Sequence, residues 1–191
     1  MAAMERRVER VLVVCTGNLC RSPMAAALLG ELARRREIAL WVDSAGTAVG
    51  PLPVPNAVVA LAAESGFDLT GHRARPVLRE DLAVADLVLG AERSHVRELA
   101  LLEPGVWHRM FTLKELARRG DAIGPRRAGQ ALGDWLALAA IGRTTSDLQG
   151  SSAADDVADP FGGPMAGYVQ MADELVSVTG RLMDLAWPSG A

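Results

Sequence analysis

Four consecutive aliphatic residues, Val11 to Val14, run directly into Cys15-Thr16-Gly17-Asn18-Leu19-Cys20-Arg21-Ser22-Pro23. An unbroken branched-aliphatic run suits a strand buried on both faces, as in a parallel sheet, better than a half-exposed strand with alternating pattern. From Met24 onward, Met24, Ala25, Leu28, Leu29 and Leu32 recur at helical spacing. Pro23 sits where a missing N–H costs nothing, and Ser22 is placed to cap the helix. The order is strand, loop, helix. The loop Cys15 to Arg21 therefore opens onto a helix N-terminus, where converging backbone N–H groups and the helix dipole favour an anion. The spacing predicts a phosphate cradle.

The residue types in the loop fit that geometry. Gly17 accepts positive φ, and Asn18 is the next most tolerant type. Cys15, at the strand end, would lie beneath a bound phosphorus with its thiolate stabilised by the converging donors. Arg21 adds a permanent planar charge with forked donors able to grip two phosphoryl oxygens. Ser22 is placed to donate its hydroxyl to the sulfur. A cysteine at a strand end is more often a packed small hydrophobe. A packed cysteine, however, needs neither the Gly-Asn turn nor the Ser-Pro helix start.

These nine residues resemble the low-molecular-weight protein tyrosine phosphatase family, whose signature is C-x-G-N-x-C-R-S-P. The likeness continues through D-S-A-G-T at Asp43 to Thr47, G-H-R-A-R at Gly71 to Arg75, A-D-L-V-L-G-A-E-R-S at Ala85 to Ser94, and D-P-F at Asp159 to Phe161. The resemblance implies a cysteine-dependent phosphatase with Cys15 as nucleophile, Arg21 as binder of the equatorial oxygens, and Asp159 as general acid and then base. It implies substrate contacts from Thr16, Gly17, Asn18, Leu19, Cys20, Ser22 and Phe161. It also implies support of Asn18 in a left-handed conformation by Ser44, Ser22 and His72. Asp155 and Asp156 lie close enough in sequence to compete with Asp159 for the acid role. Cys20, five residues after Cys15, either packs beneath the loop or closes a reversible disulfide that protects the nucleophile, and the resemblance points to the second.

Two departures bear on substrate. Phe161 stands where family members acting on phosphotyrosine usually have Tyr, and only Ala48, Val49 and Gly50 stand where an aromatic residue often follows the second strand. Stacking on a substrate ring is expected to be weaker. Trp135 is the candidate for the missing wall.

The expected fold is α/β: one domain over residues 1–191, a three-layer sandwich with a four-stranded parallel sheet flanked by helices. The strands are expected at Val11–Val14, Leu40–Asp43, Asp86–Leu89 and Val106–Phe111. Helices are expected from Met24, at Asn56–Glu64 after the loop Pro51 to Pro55, at Ser94–Leu102, at Asp134–Ile141 and at Met165–Trp187. The last of these should bury Tyr168, Ala172, Leu175, Val176, Thr179, Leu182, Met183 and Ala186. Ligand belongs at the carboxyl ends of the strands, where Cys15 and Ser44 fall. Residues 120–157 depart from the compact family pattern and read as an enlarged, solvated loop with a mobile tip. The other view is that Arg118, Arg119, Arg126 and Arg127 recruit an acidic phosphoprotein.

A net charge of −3 gives no reason to expect nucleic-acid binding. Two cysteines, both in the loop, exclude a disulfide scaffold and a cysteine-based zinc site, and suit a reducing compartment. Met1 to Arg10 is charged and unlike a signal peptide, and no apolar run approaches a membrane span, so the cytoplasm is the expected location. The proposed chemistry needs no metal or other cofactor. The expected substrate is a tyrosine-phosphorylated protein or a small phosphomonoester; the sequence sets no oligomeric state. The rival activities are arsenate reduction with an external thiol, since no cysteine follows Cys20, and phosphoprotein binding without turnover.

Overall fold

The structure is a computed structural model describing residues 7–188. Most of the charged opening segment Met1 to Arg10 lies outside the described residues. Four parallel strands, β1 (Glu9–Cys15), β2 (Leu40–Gly46), β3 (Leu87–Gly90) and β4 (Met110–Thr112), form one sheet in the order β2-β1-β3-β4. Their connections carry helices α1 (Arg21–Arg35), α2 (Asn56–Glu64), α3 (Arg79–Val84), α4 (Arg93–Leu102), α5 (Leu113–Ile123), α6 (Leu132–Ala139) and α7 (Met165–Ala186).

The aliphatic run of β1 divides its side chains between the two faces of the sheet, as strand geometry demands. Val11 and Val13 enter a core with α1, α2, α5, α6 and α7, whereas Leu12 and Val14 enter a smaller one with Leu82 of α3 and Val96 and Leu99 of α4. Both faces are covered, which gives the three-layer α/β sandwich. The register places Cys15 beside Gly46, so the end of β1 and the end of β2 arrive together at one rim of the sheet.

Several elements differ from the expectations. The fourth strand is confined to Met110–Thr112, and Pro104–Arg109 forms a 3-10 helix instead. The four-residue β3 offers partners only to Met110, Phe111 and Thr112, and Pro104 with Gly105 favours a turn. Helices α3 and α5 were not expected. The signal for α5 was present as a capping box, with Thr112 Oγ1 accepting from the Glu115 N–H at 3.0 Å and Glu115 reaching back to the Thr112 N–H. On α7, Val176 faces solvent rather than the core.

Residues 120–157 are not a solvated loop in their inner parts. Helix α6 buries Leu132, Trp135 and Leu136 against the main core, and the Trp135 indole N–H donates to the Gly124 carbonyl at 2.9 Å. Trp135 is thus a core residue and supplies no wall to the site. Three of the four arginines are engaged within the protein: Arg118 with Asp155, Arg119 with Glu115, and Arg126 with Glu9. The charges offered for an acidic partner are mostly neutralised inside the molecule.

Candidate active site

The loop after β1 is built around Asn18. Its φ of 53° is left-handed, a conformation that Asn tolerates better than most residues but that still requires support. The support is dense. Asn18 Nδ2 donates to Ser22 Oγ and to Ser44 Oγ, both at 2.9 Å, and Oδ1 accepts the Arg75 N–H at 3.0 Å. His72 Nε2 lies 2.9 Å from the Asn18 backbone carbonyl, so His72 holds the backbone rather than the amide side chain. Asn18 is fully buried, and every polar atom of its side chain has a partner.

Helix α1 starts at Arg21, one residue before the expected cap, and Cys20 occupies the cap position without a side-chain bond. Ser22 therefore lies inside the first turn. It points back into the loop, where its Oγ is 3.0 Å from Cys15 Sγ and 3.3 Å from the Ala45 carbonyl. The backbones of the two strand ends are also tied, with the Thr47 and Ala48 N–H groups donating to the Cys15 and Thr16 carbonyls at 3.0 and 2.9 Å. Gly46 is required by this approach. A Cβ there would stand 2.6 Å from the Thr16 carbonyl oxygen.

Arg21 is almost completely buried and lies between two carboxylates. Nη1 donates to Glu92 Oε2 at 2.9 Å and to the Val157 carbonyl at 3.2 Å, while Nη2 donates to Asp159 Oδ2 at 2.7 Å and to Thr16 Oγ1 at 3.3 Å. Its Nε is buried and without a hydrogen-bond partner among the described residues. An orphaned cationic donor is costly unless an acceptor reaches it. The adjoining pocket, about 250 Å3, supplies the space for one.

Cys15, Thr16, Gly17, Leu19, Cys20 and Arg21 line that pocket from the loop, with Ala48, Gly50 and Leu52 from the segment after β2 and Asp159 and Phe161 from the loop before α7. The side chains of Asn18 and Ser22 lie behind the loop and do not line it. Leu52, which sequence reasoning passed over, forms apolar wall where no aromatic residue stands. Cys20 is buried, and burial chiefly, together with the negative charges of Asp159 and Cys15, pushes its thiol up to about 12. Both cysteines are free.

Glu92 and His95 are functional-site neighbours that residue patterning did not single out. The Glu92 N–H donates to His95 Nδ1 at 3.1 Å, which leaves the ring proton on Nε2, 3.0 Å from Thr16 Oγ1. Thr16 Oγ1 thus accepts from both His95 and Arg21. His95 is 1% exposed, and burial, reinforced by the Arg21 charge, holds its imidazole down to about 4. Burial works against ionisation of Glu92, but the Ser94 hydroxyl and Arg21 hold its carboxyl below the usual range.

The segment that carries Asp159 is fastened rather than free. Asp155 is buried and accepts from Arg93 at 2.6 Å and Arg118 at 2.8 Å, and its carbonyl accepts from Thr112 Oγ1 at 2.6 Å. Asp156 accepts the Arg93 N–H at 2.8 Å, and the Val157 N–H donates to the Ala91 carbonyl at 2.8 Å. Of the three neighbouring aspartates, Asp155 and Asp156 are occupied in this anchoring and Asp159 faces the pocket.

A cysteine at the mouth of a parallel-sheet strand, an anion loop held by a left-handed Asn, and a buried arginine closing the ring define the class of thiol-based phosphate-ester enzymes. Comparison with known proteins specifies the class further. The profile of the low molecular weight phosphotyrosine protein phosphatases matches residues 10–122, and this chain belongs to that family of cysteine-dependent enzymes. It is 33% identical over 174 residues to the protein-arginine-phosphatase of Bacillus subtilis, covering 90% of this chain and 93% of that one. It is 31% identical over 125 residues to the low molecular weight protein-tyrosine-phosphatase Etp of Escherichia coli, covering 65% of this chain and 82% of the relative. The crystal structure of the low molecular weight protein tyrosine phosphatase from T. tengcongensis superposes with a TM-score of 0.69 at 31% identity, covering 92% of this chain and 98% of that one. Among the described residues no helix is long and apolar enough to cross a membrane.

Proposed function

We propose that the pocket hydrolyses phosphotyrosine, in proteins or as a small aryl phosphate, through a phosphocysteine intermediate. Within this scheme residues 1–191 act as one catalytic unit. Cys15 Sγ attacks phosphorus, the phosphorus–oxygen bond to the aryl group breaks, and Asp159, which enters this step in its protonated form, gives that proton to the departing oxygen. Asp159 then takes a proton from water, the water oxygen attacks phosphorus, and the sulfur–phosphorus bond breaks to release phosphate. Ser22 Oγ, 3.0 Å from the sulfur, is placed to stabilise the thiolate as it leaves. Arg21 and the loop N–H groups hold the equatorial oxygens, where charge is greatest in the transition state.

The observation that carries this reading is the meeting of Cys15, Arg21 with its unpartnered Nε, and Asp159 around one pocket. Phosphotyrosine is favoured over the phosphorylated arginine that the name of one relative, a protein-arginine-phosphatase, points to, because Leu19, Leu52 and Phe161 give the pocket apolar walls and, among the described residues, Asp159 is the one carboxylate lining it. An aryl ring buries well against such walls, whereas a guanidinium needs acceptors.

Hydrolysis of p-nitrophenyl phosphate by the wild type and the Cys15→Ser variant tests the scheme. The expected result is turnover in the wild type and, in the serine variant, no turnover with oxyanion binding retained. Arsenate reduction with an external thiol but no ester hydrolysis, or phosphate binding without turnover by the wild type, would replace it with one of the two rival activities.

A further inference from the structure

Beside the catalytic pocket lies a second groove of about 580 Å3. Pro51, Leu52 and Pro53 line it together with His72 and Arg73. Leu52 belongs to both cavities, so the groove adjoins the pocket and the two share an apolar wall. The prolines restrict φ along the shared wall, which therefore keeps its shape without a ligand.

The groove is one-sided in charge. Among the described residues Arg73 is the one lining residue with a permanent charge, and no Asp or Glu lines the groove. Arg73 Nη1 donates to the carbonyls of Thr70 at 3.3 Å and His72 at 2.9 Å, which fixes the guanidinium against its own loop. Among the described residues no carboxylate pairs with it. Arg75, two positions on, is the contrast: it is held by Asp43 and Asp81, each at 2.8 Å. The same short loop thus neutralises one arginine twice over and holds the other exposed at the groove.

We propose that this groove is a substrate subsite for the polypeptide flanking the phosphorylated residue, and that Arg73 there binds an acidic side chain. The proposal rests on the phosphotyrosine reading above and gives it a substrate class, phosphoproteins with acidic residues next to the site of phosphorylation. A forked guanidinium recognises a carboxylate in two-point fashion, and the exposed setting makes the preference modest and sensitive to salt.

The test compares two phosphotyrosine peptides, one flanked by glutamates and one by lysines, with p-nitrophenyl phosphate as the substrate that never reaches the groove. Wild type is expected to favour the acidic peptide in kcat/KM by roughly threefold to fivefold at low salt, and less at high salt. Arg73→Glu should reverse the order of the peptides while leaving p-nitrophenyl phosphate hydrolysis unchanged. Binding of both peptides to the Cys15→Ser variant repeats the comparison without turnover. Equal treatment of the two peptides there, or a preference that survives Arg73→Glu, overturns the subsite. Failure of the wild type to hydrolyse p-nitrophenyl phosphate overturns the phosphatase scheme instead, and the binding comparison still decides the subsite.

Discussion

Arg21 Nη2 donates to Asp159 Oδ2 at 2.7 Å across 138 positions of sequence, joining the first residue of α1 to the loop before α7. This bond sets the carboxyl group at the edge of the pocket. Asp159→Asn keeps an oxygen for Arg21 but, on the proposed scheme, has no proton to give the leaving group. It is expected to lower kcat by about 10²-fold to 10⁴-fold. Measured over a series of aryl phosphates, the loss should grow as the leaving phenol becomes more basic. A loss independent of the leaving group would mean that Asp159 only positions Arg21.

Gly46→Ala places a methyl group 2.6 Å from the Thr16 carbonyl and 3.0 Å from the Asn18 nitrogen, both backbone atoms of the phosphate loop. The loop must shift to relieve the overlap. Thermal unfolding should show a loss of about 1–3 kcal/mol, and oxyanion affinity should fall more than stability alone explains. Unchanged phosphate inhibition would contradict the role of this close approach.

His95 takes up a proton near pH 6.5 in the unfolded chain and only near 4 in the folded one. Between these values the unfolded state binds more protons, so stability falls as pH drops through the window, at steepest by about 1.4 kcal/mol per pH unit. The contribution is fully present above pH 6.5. His95→Gln should flatten that part of the profile in denaturant titrations at stepped pH. A variant with the same slope would assign the titration to another group.

Glu115 is buried and meets Arg143 at 2.7 Å and Arg119 at 2.9 Å. The Arg143 guanidinium lies 4.0 Å and 4.1 Å from the centres of the Trp107 and Phe111 rings. Glu115→Ala leaves this buried cation without its carboxylate and is expected to cost about 3–5 kcal/mol. Arg143→Met, which removes the charge but fills the space, should cost less. Chemical denaturation of the two variants measures the difference, and activity per folded molecule should survive in both.

Peroxide should convert Cys15 and Cys20 into a disulfide slowly near neutral pH, because the buried Cys20 thiol ionises only near 12. Ring closure should quicken about tenfold per pH unit as its thiolate fraction rises. Peptide mapping with and without reductant follows the link. Its absence at every pH would leave Cys20 as a packing residue.

The loop was legible because its chemistry is local: strand, glycine, asparagine, arginine and helix start stand within thirteen residues. Ser44 and His72 were reached only through family likeness, since nothing in their own neighbourhoods shows that both converge on Asn18. Glu92 and His95 lie on the far side of the loop through the pairing of β1 with β3, a long-range fact that periodicity does not carry. Ser22 fits two roles in sequence, helix cap and partner of the Cys15 sulfur; the cap falls at Cys20 and Ser22 takes the second role. The enlarged segment misled for a related reason. Its arginines look solvated in sequence, and their partners Asp155 and Glu9 are far along the chain.

The fastening of Asp155, Asp156 and Val157 beneath Asp159 has a consequence for the catalytic cycle. On the proposed scheme the acid's own support is in place before substrate arrives, so binding energy is not diverted into ordering that segment. Selectivity among esters would then fall to rim residues such as Leu52 and Phe161, which single replacements can change without touching the bonds below.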